Sequence, residues 1–276
     1  MNVELVFLAL VQGITEFLPV SSSGHLILGR ALLNLLGLAP LTMTPAEELS
    51  LDIALHIGSL GAILVYFWRD IAMLLGGLRD TVLARGGVAA RTLWVLIVAS
   101  LPLVVAGLIF KDLVTEAGRS VGIIAVTTLV FGVLLFVADR RPSERGEIER
   151  LSFRDALIVG LAQCLAIIPG VSRSGICMTA GRFIGLDRPL SARLAMLMAI
   201  PAILGAGLLT TLDLVRSGDA NFTAYALWGG ALAFISALAS IALLMKWLAR
   251  QSYTPFVIYR VALGLILLGL LAANIL

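Results

Sequence analysis

Charge is scarce in this chain: only 13% of its 276 residues are charged, while 60% are hydrophobic and the mean hydropathy is +1.04. Soluble globular domains carry roughly 25% charged residues, so this deficit excludes a soluble fold and places the chain in a bilayer. The net charge of +3 comes without a basic stripe or a nucleic-acid-binding motif, and most basic residues fall between apolar runs. Membrane topology accounts for them, and nucleic acid is excluded as a partner. Cysteine is nearly absent. Cys164 and Cys177 both lie in apolar helical text without metal-ligand spacing, which excludes a disulfide framework and makes them small buried hydrophobes. Met1-Asn2-Val3-Glu4 lacks a basic n-region, so the first apolar run is expected to be structure and not a removable signal peptide.

Apolar runs close to the ~20 residues that cross a ~30 Å hydrocarbon core lie at about 51–68, 92–110, 120–138, 189–212, 223–248 and 254–275. They predict six transmembrane helices. Two further apolar regions, 3–37 and 152–186, are broken near their midpoints by Pro, Gly and Ser. Halves of roughly 13–17 residues are too short to cross alone, which predicts two re-entrant helical hairpins. Ile71, Leu74, Leu75, Leu78 and Val82 follow a helical period among Arg69, Arg79, Asp80 and Arg85, the pattern of an interfacial amphipathic helix. The hydrophilic run 139–150 reads as a solvated linker between two halves of a single membrane domain, about 1–138 and 151–276.

The two breaks are copies of one another. Gln12-Gly13-Ile14-Thr15-Glu16-Phe17-Leu18-Pro19-Val20-Ser21-Ser22-Ser23-Gly24-His25 aligns without gaps on Gln163-Cys164-Leu165-Ala166-Ile167-Ile168-Pro169-Gly170-Val171-Ser172-Arg173-Ser174-Gly175-Ile176. The copies match at Gln12/Gln163, Val20/Val171, Ser21/Ser172, Ser23/Ser174 and Gly24/Gly175, and they differ at Ser22/Arg173 and His25/Ile176. Leu129–Leu135 and Val261–Leu267 form a weaker echo. With each hairpin returning to its own side, fourteen basic residues fall on one face (Arg69 to Arg91, Arg140 to Arg154, Arg182 to Arg193, Lys246 and Arg250). Arg30, Lys111, Arg119 and Arg216 fall on the other. The first face is then cytoplasmic, both termini lie outside, and three spans after each hairpin give an inverted-topology repeat.

Ionisable groups in hydrocarbon are costly, so Glu16, His25 and Arg173 require a wet cavity or mutual pairing. Hairpins entering from opposite faces bring Ser21, Ser22, Ser23 and His25 against Ser172, Arg173 and Ser174, with helix N-termini aimed at the same place. Such a site suits a phosphate. Ser22 and His25 are three apart, so in a helix starting at the serines they share a face within hydrogen-bond reach. His25 then moves the proton, and Glu16 orients the imidazole or ligates a metal. A capping serine cluster or a satisfied interfacial histidine explains these residues singly, but not an acid and a guanidinium in matched hairpins. His56 lines the cavity or belongs to helix packing through Gly58 and Ser59, and Arg260 pairs with an acid or makes a second phosphate contact.

These residues resemble the undecaprenyl-diphosphatase family of bacterial inner-membrane enzymes, associated with bacitracin resistance. Two motifs carry the resemblance: Gln12 and Glu16, four apart, continuing into Phe17-Leu18-Pro19-Val20-Ser21-Ser22-Ser23-Gly24-His25, and Pro169-Gly170-Val171-Ser172-Arg173-Ser174. The resemblance implies an active site of Glu16, Ser22, His25 and Arg173, and a divalent cation, magnesium or calcium. Gln12 stands at the family's variable Glu/Gln position, leaving one carboxylate to hold that cation. Cys177 stands where many relatives carry Thr, so a hydroxyl contact is lost or moves to Thr179. The implied reaction is hydrolysis of a polyprenyl diphosphate lipid, undecaprenyl diphosphate, to the monophosphate carrier used for peptidoglycan, in the bacterial inner membrane; the orientation read from the basic residues opens the first hairpin outward and so predicts hydrolysis on the outer face. A homodimer is compatible with it. A lipid-phosphate transporter or flippase is the alternative for an anion site between inverted repeats.

Overall fold

A backbone surrounded by apolar side chains has no acceptors but its own, and the elements of this chain are accordingly helices. The computed structural model describes residues 3–38, 45–109, 120–143, 146–217 and 220–274. Lys111, Arg119 and Arg145 of the charge count lie outside them. In chain order the helices are α1 (Val3–Thr15), α2 (Ser22–Leu35), α3 (Pro45–Tyr66), α4 (Trp68–Val82), α5 (Val88–Ile109) and α6 (Val121–Asp139). After them come α7 (Phe153–Cys164), α8 (Arg173–Phe183), α9 (Arg188–Ser217), α10 (Ala220–Leu248) and α11 (Thr254–Ala272).

Among the described residues six helices, α3, α5, α6, α9, α10 and α11, are long and apolar enough to cross a membrane, where six spans were expected. The first span ends at Tyr66 and not at residue 68, because the chain turns at Phe67 into α4. α4 is the expected amphipathic helix: Ile71 and Leu74 pack against the core, while Leu75, Leu78 and Val82 are exposed. The stretch 139–150 is less solvated than its charges suggest. Asp139 is buried, and a short 3-10 turn at Ile148–Arg150 carries Ile148 and Leu151 into the core at 0% exposure.

The two copied breaks share one local form. In each, a short helix ends, a serine adopts a left-handed backbone conformation (Ser21 φ 78°, Ser172 φ 71°), and a second short helix begins on the next residue. Residues other than Gly, Asn and Asp rarely sit there, so the coincidence is informative. Pairing follows a matching pattern: α1 packs on α10, α7 packs on α5, and α6 packs on α11. Small residues permit these approaches. A Cβ on Gly13 would fall 2.5 Å from the Ala233 carbonyl oxygen of α10, and one on Gly160 would fall 2.4 Å from the Ala99 carbonyl oxygen of α5. Gly132 and Gly264, corresponding positions of the weaker echo, both lie in the α6–α11 contact.

Arg260 on α11 joins the two turns. It is 0% exposed, and its guanidinium donates to Pro19 O (3.0 Å) in the first turn, to Gly170 O (2.9 Å) and Val171 O (3.0 Å) in the second, and to Thr128 O (3.1 Å) on α6. Neither expectation for it holds: its partners are carbonyl oxygens, not an acid, and it does not line the phosphate-sized cavity described below. Removing it would take a charged donor from four buried carbonyls, of which Gly170 O keeps only a 3.4 Å bond from the Thr128 hydroxyl. Arg260→Met is therefore expected to lower unfolding free energy by roughly 3–5 kcal/mol, measured as loss of thermal stability of the purified protein in detergent.

Candidate active site

Glu16 follows the last turn of α1, its amide bonded to Gln12 O (2.9 Å), and the chain then runs through Pro19 to the Ser21 turn. Ser22 is the first residue of α2, close enough for its hydroxyl to reach back to the acid. Arg173 is the first residue of α8, and its side chain crosses to the same carboxylate. Glu16 Oε2 accepts from Ser22 Oγ (2.6 Å) and Gln12 Nε2 (3.0 Å), and Oε1 accepts from Arg173 Nη2 (3.0 Å). Arg173 Nη1 donates to Ala195 O (3.1 Å) on α9, which fixes the guanidinium plane. The ion pair is largely desolvated, with the Arg173 and Glu16 side chains 14% and 5% exposed.

These groups border a cavity of about 250 Å³ lined by Glu16, Ser21, Ser22, Ser23, His56, Ser172 and Arg173, with Ile53, Ala166, Ala202 and Ile203 as its apolar wall. At about 30 Å³ per water, it holds a phosphate group with some waters, not a prenyl chain. α2 and α8 both start at its edge, so the free amides and positive ends of two helices add to Arg173. The serines differ in use. Ser172 caps α8 by accepting from Gly175 N (3.1 Å), whereas Ser21 makes no side-chain cap to α2, and its hydroxyl lies 3.4 Å from that of Ser23. A side-chain cap, one explanation of the Ser21–Ser23 cluster, is thus absent at Ser21 and present instead at Ser172.

Not every expected residue reaches the cavity. Ser174 is buried, shares a bond with Ser172 Oγ (3.1 Å) and donates to Leu18 O (2.9 Å), tying the turns together without bordering the cavity. Thr179 is buried too, and its hydroxyl is spent on Gly175 O (2.7 Å), so it does not replace the hydroxyl missing at Cys177. His25 does not meet Ser22. Its Nδ1 bonds Ser21 O (2.6 Å), its Nε2 bonds the Tyr259 hydroxyl (2.6 Å), and the two rings stack with centroids 5.6 Å apart. A carbonyl only accepts, so Nδ1 carries a proton and donates to Ser21 O. Helical spacing placed the two side chains on neighbouring faces, but the partner on α11 draws the imidazole away.

The imidazole at the cavity is His56. Its Nδ1 donates to Asp52 O (2.6 Å), which leaves Nε2 facing Glu16 Oε2 at 3.4 Å. Gly58, two residues on, meets α10 so closely that a Cβ would lie 2.0 Å from Gly230 O, so cavity lining and helix packing both hold for this stretch. A hard divalent cation takes oxygens from one or two carboxylates and from substrate phosphates. Glu16 and the buried Oε1 of Gln12, which has no hydrogen-bond partner, are donors of that kind. No cluster of three His, Cys, Asp or Glu able to hold a metal by itself occurs among the described residues.

Comparison with known proteins places the chain among named relatives. The family model described as bacitracin resistance protein BacA matches residues 5–266. A protein of Ruegeria pomeroyi named undecaprenyl-diphosphatase is 46% identical over 270 residues, covering 97% of this chain and 97% of the relative. Proteins of the same name from Teredinibacter turnerae and Alteromonas mediterranea are 45% and 43% identical, each covering 96% of this chain and 97% of the relative. None of these names points to transport.

Proposed function

The chain belongs to the bacitracin resistance protein BacA family, and we propose that it hydrolyses undecaprenyl diphosphate to undecaprenyl phosphate and inorganic phosphate. This would return the lipid carrier to peptidoglycan synthesis. One observation carries the reading: a single carboxylate, Glu16, holds the Ser22 hydroxyl of one turn and the Arg173 guanidinium of the other at 2.6 and 3.0 Å, at the edge of a phosphate-sized cavity. A binding protein needs the guanidinium. It has no need of a serine bonded to a buried base.

The terminal phosphate enters the cavity against Arg173 and the amides that open α2 and α8, which balance the charge spread over its oxygens. Ser22 Oγ attacks phosphorus as its proton passes to Glu16, and the bond from phosphorus to the bridging oxygen breaks. The leaving group is a phosphate monoester, which ionises near pH 6, so it departs without a general acid. Water then attacks the phosphoseryl phosphorus, giving a proton to Glu16, and as the bond from phosphorus to Ser22 Oγ breaks Oγ takes that proton from Glu16, which frees phosphate and restores the serine. Nε2 of His56, 3.4 Å from Glu16 Oε2, is placed to carry away the proton that Glu16 takes from Ser22. His25 acts in this scheme by holding the carbonyl of Ser21, whose left-handed conformation presents Ser22 to the acid. A magnesium or calcium ion held by Glu16 and Gln12 Oε1 would neutralise charge on the diphosphate. The prenyl chain stays in lipid.

The expected assay result is phosphate released from a prenyl diphosphate by the purified protein, abolished by a chelator. Ser22→Ala and Arg173→Ala should each lose on the order of 10²–10⁴ in kcat/KM. His56→Gln and His25→Gln should both slow the reaction, with only His56→Gln shifting the pH profile. Undiminished activity in Ser22→Ala would refute the role of the serine, and no phosphate release from the native protein would refute the function.

We also propose that α1–α2 and α7–α8 are re-entrant hairpins of an inverted repeat, with the first opening to the periplasmic side of the inner membrane. The matched serine turns and the reciprocal packing of α1 on α10 and α7 on α5 support it. An impermeant thiol reagent on intact cells should label Leu36→Cys but not Arg85→Cys, in a Cys164→Ala background. The reverse pattern would invert the orientation.

A further inference from the structure

A second polar cavity of about 470 Å³ lies where the C-terminal ends of α6 and α8 meet the starts of α9 and α11. It shares no lining residue with the Glu16 cavity. We infer that it is a binding site for a phosphate oxyanion, presented by an acidic phospholipid headgroup or free in solution, with Arg140 and Arg141 as the ligating cations.

Four arginines, at 140, 141, 182 and 188, line it against a single acid, Asp139. That acid is already committed: Oδ1 accepts from Arg188 Nε (2.6 Å) and Oδ2 from Tyr253 N (3.1 Å). Arg140 and Arg141 have no carboxylate partner among the described residues. Each is braced instead on an aromatic face, with the Arg140 guanidinium 4.1 Å above Phe136 and that of Arg141 5.8 Å from Phe183. Stacking of this kind holds the guanidinium plane while leaving its in-plane N–H donors available, the arrangement that suits bidentate phosphate recognition.

Arg182 supplies an independent observation. It is 3% exposed and stitches the floor of the cavity together through Ser143 Oγ (2.7 Å), Leu186 O, Asp139 O (3.3 Å) and Arg141 O. Its Nε–H nevertheless has no acceptor. A buried cationic donor left open is costly, and an anion in the adjoining cavity lowers that cost through its charge without touching Nε. The Ser143, Ser252 and Thr254 hydroxyls complete the polar wall. Trp247, half-exposed and bonded through Nε1 to Ser252 O (3.0 Å), marks this rim as lying at headgroup depth, where Trp concentrates.

Purified full-length protein in detergent is tested with phosphatidylglycerol, phosphatidylcholine or inorganic phosphate. Thermal shift and native mass spectrometry are read for the native chain, Arg140→Ala/Arg141→Ala, and a charge-matched control, Arg69→Ala/Arg85→Ala. Phosphatidylglycerol is expected to raise the Tm by several degrees over phosphatidylcholine and to be retained. The pocket variant should lose at least ten-fold in lipid affinity while keeping phosphate release, and the control should lose neither. A phosphate response that also drops in the pocket variant assigns the site to phosphate groups generally, and a lipid response alone assigns it to headgroups. Equal lipid binding by all three proteins, or an equal loss in pocket and control variants, overturns the proposal.

Discussion

A buried carboxylate claimed by both halves of the molecule is the contact on which the rest depends. Glu16 belongs to the first turn and receives the Ser22 hydroxyl from its own side and the Arg173 guanidinium from the other. An acid this deep in apolar surroundings carries a desolvation penalty that only close partners offset. The pairing therefore fixes the two turns opposite one another and leaves a polar gap between them. Any phosphate entering that gap competes for the same guanidinium, so the resting ion pair holds Arg173 in the orientation in which an oxyanion would meet it.

Arg260 makes this arrangement rigid in a different way. The ends of short helices leave carbonyl oxygens without intrahelical partners, a serious matter where water is scarce. One guanidinium from α11 satisfies Pro19, Gly170 and Val171 together, and so locks both turns to the α6–α11 pair at the middle of the fold. Ser174 adds a bond to Leu18 O across the same junction. The cations thus divide the work: Arg260 is consumed by the backbone, Arg173 is held by an acid beside the cavity, and Arg140 and Arg141 lie over the rings of Phe136 and Phe183.

The spans were legible because crossing hydrocarbon demands length and apolarity, which a linear text records directly. The opposed serine clusters and the Glu16–Arg173 meeting were legible because ionisable residues inside apolar text must find partners, and the repeat named them. What stayed hidden depends on long-range geometry. His25 meets Tyr259 across 234 residues, and Arg260 meets Pro19 across 241, with no local spacing to announce either contact. His56 differs. Its placement four residues after Asp52, whose carbonyl it bonds, is local, but only the packing of α3 beside the first turn aims it at Glu16. Burial of Ile148 and Leu151 within a charged run escaped notice because two apolar residues make no periodic signal.

The most direct measurement is the position of a bound non-hydrolysable diphosphonate analogue of the prenyl diphosphate, seen by cryo-electron microscopy of the protein in lipid. The account predicts density for the terminal phosphonate with one oxygen in hydrogen-bond contact with Arg173 and its phosphorus in line with Ser22 Oγ. A head group lodged elsewhere, with the Glu16–Arg173 pair closed and Ser22 out of reach, would contradict it.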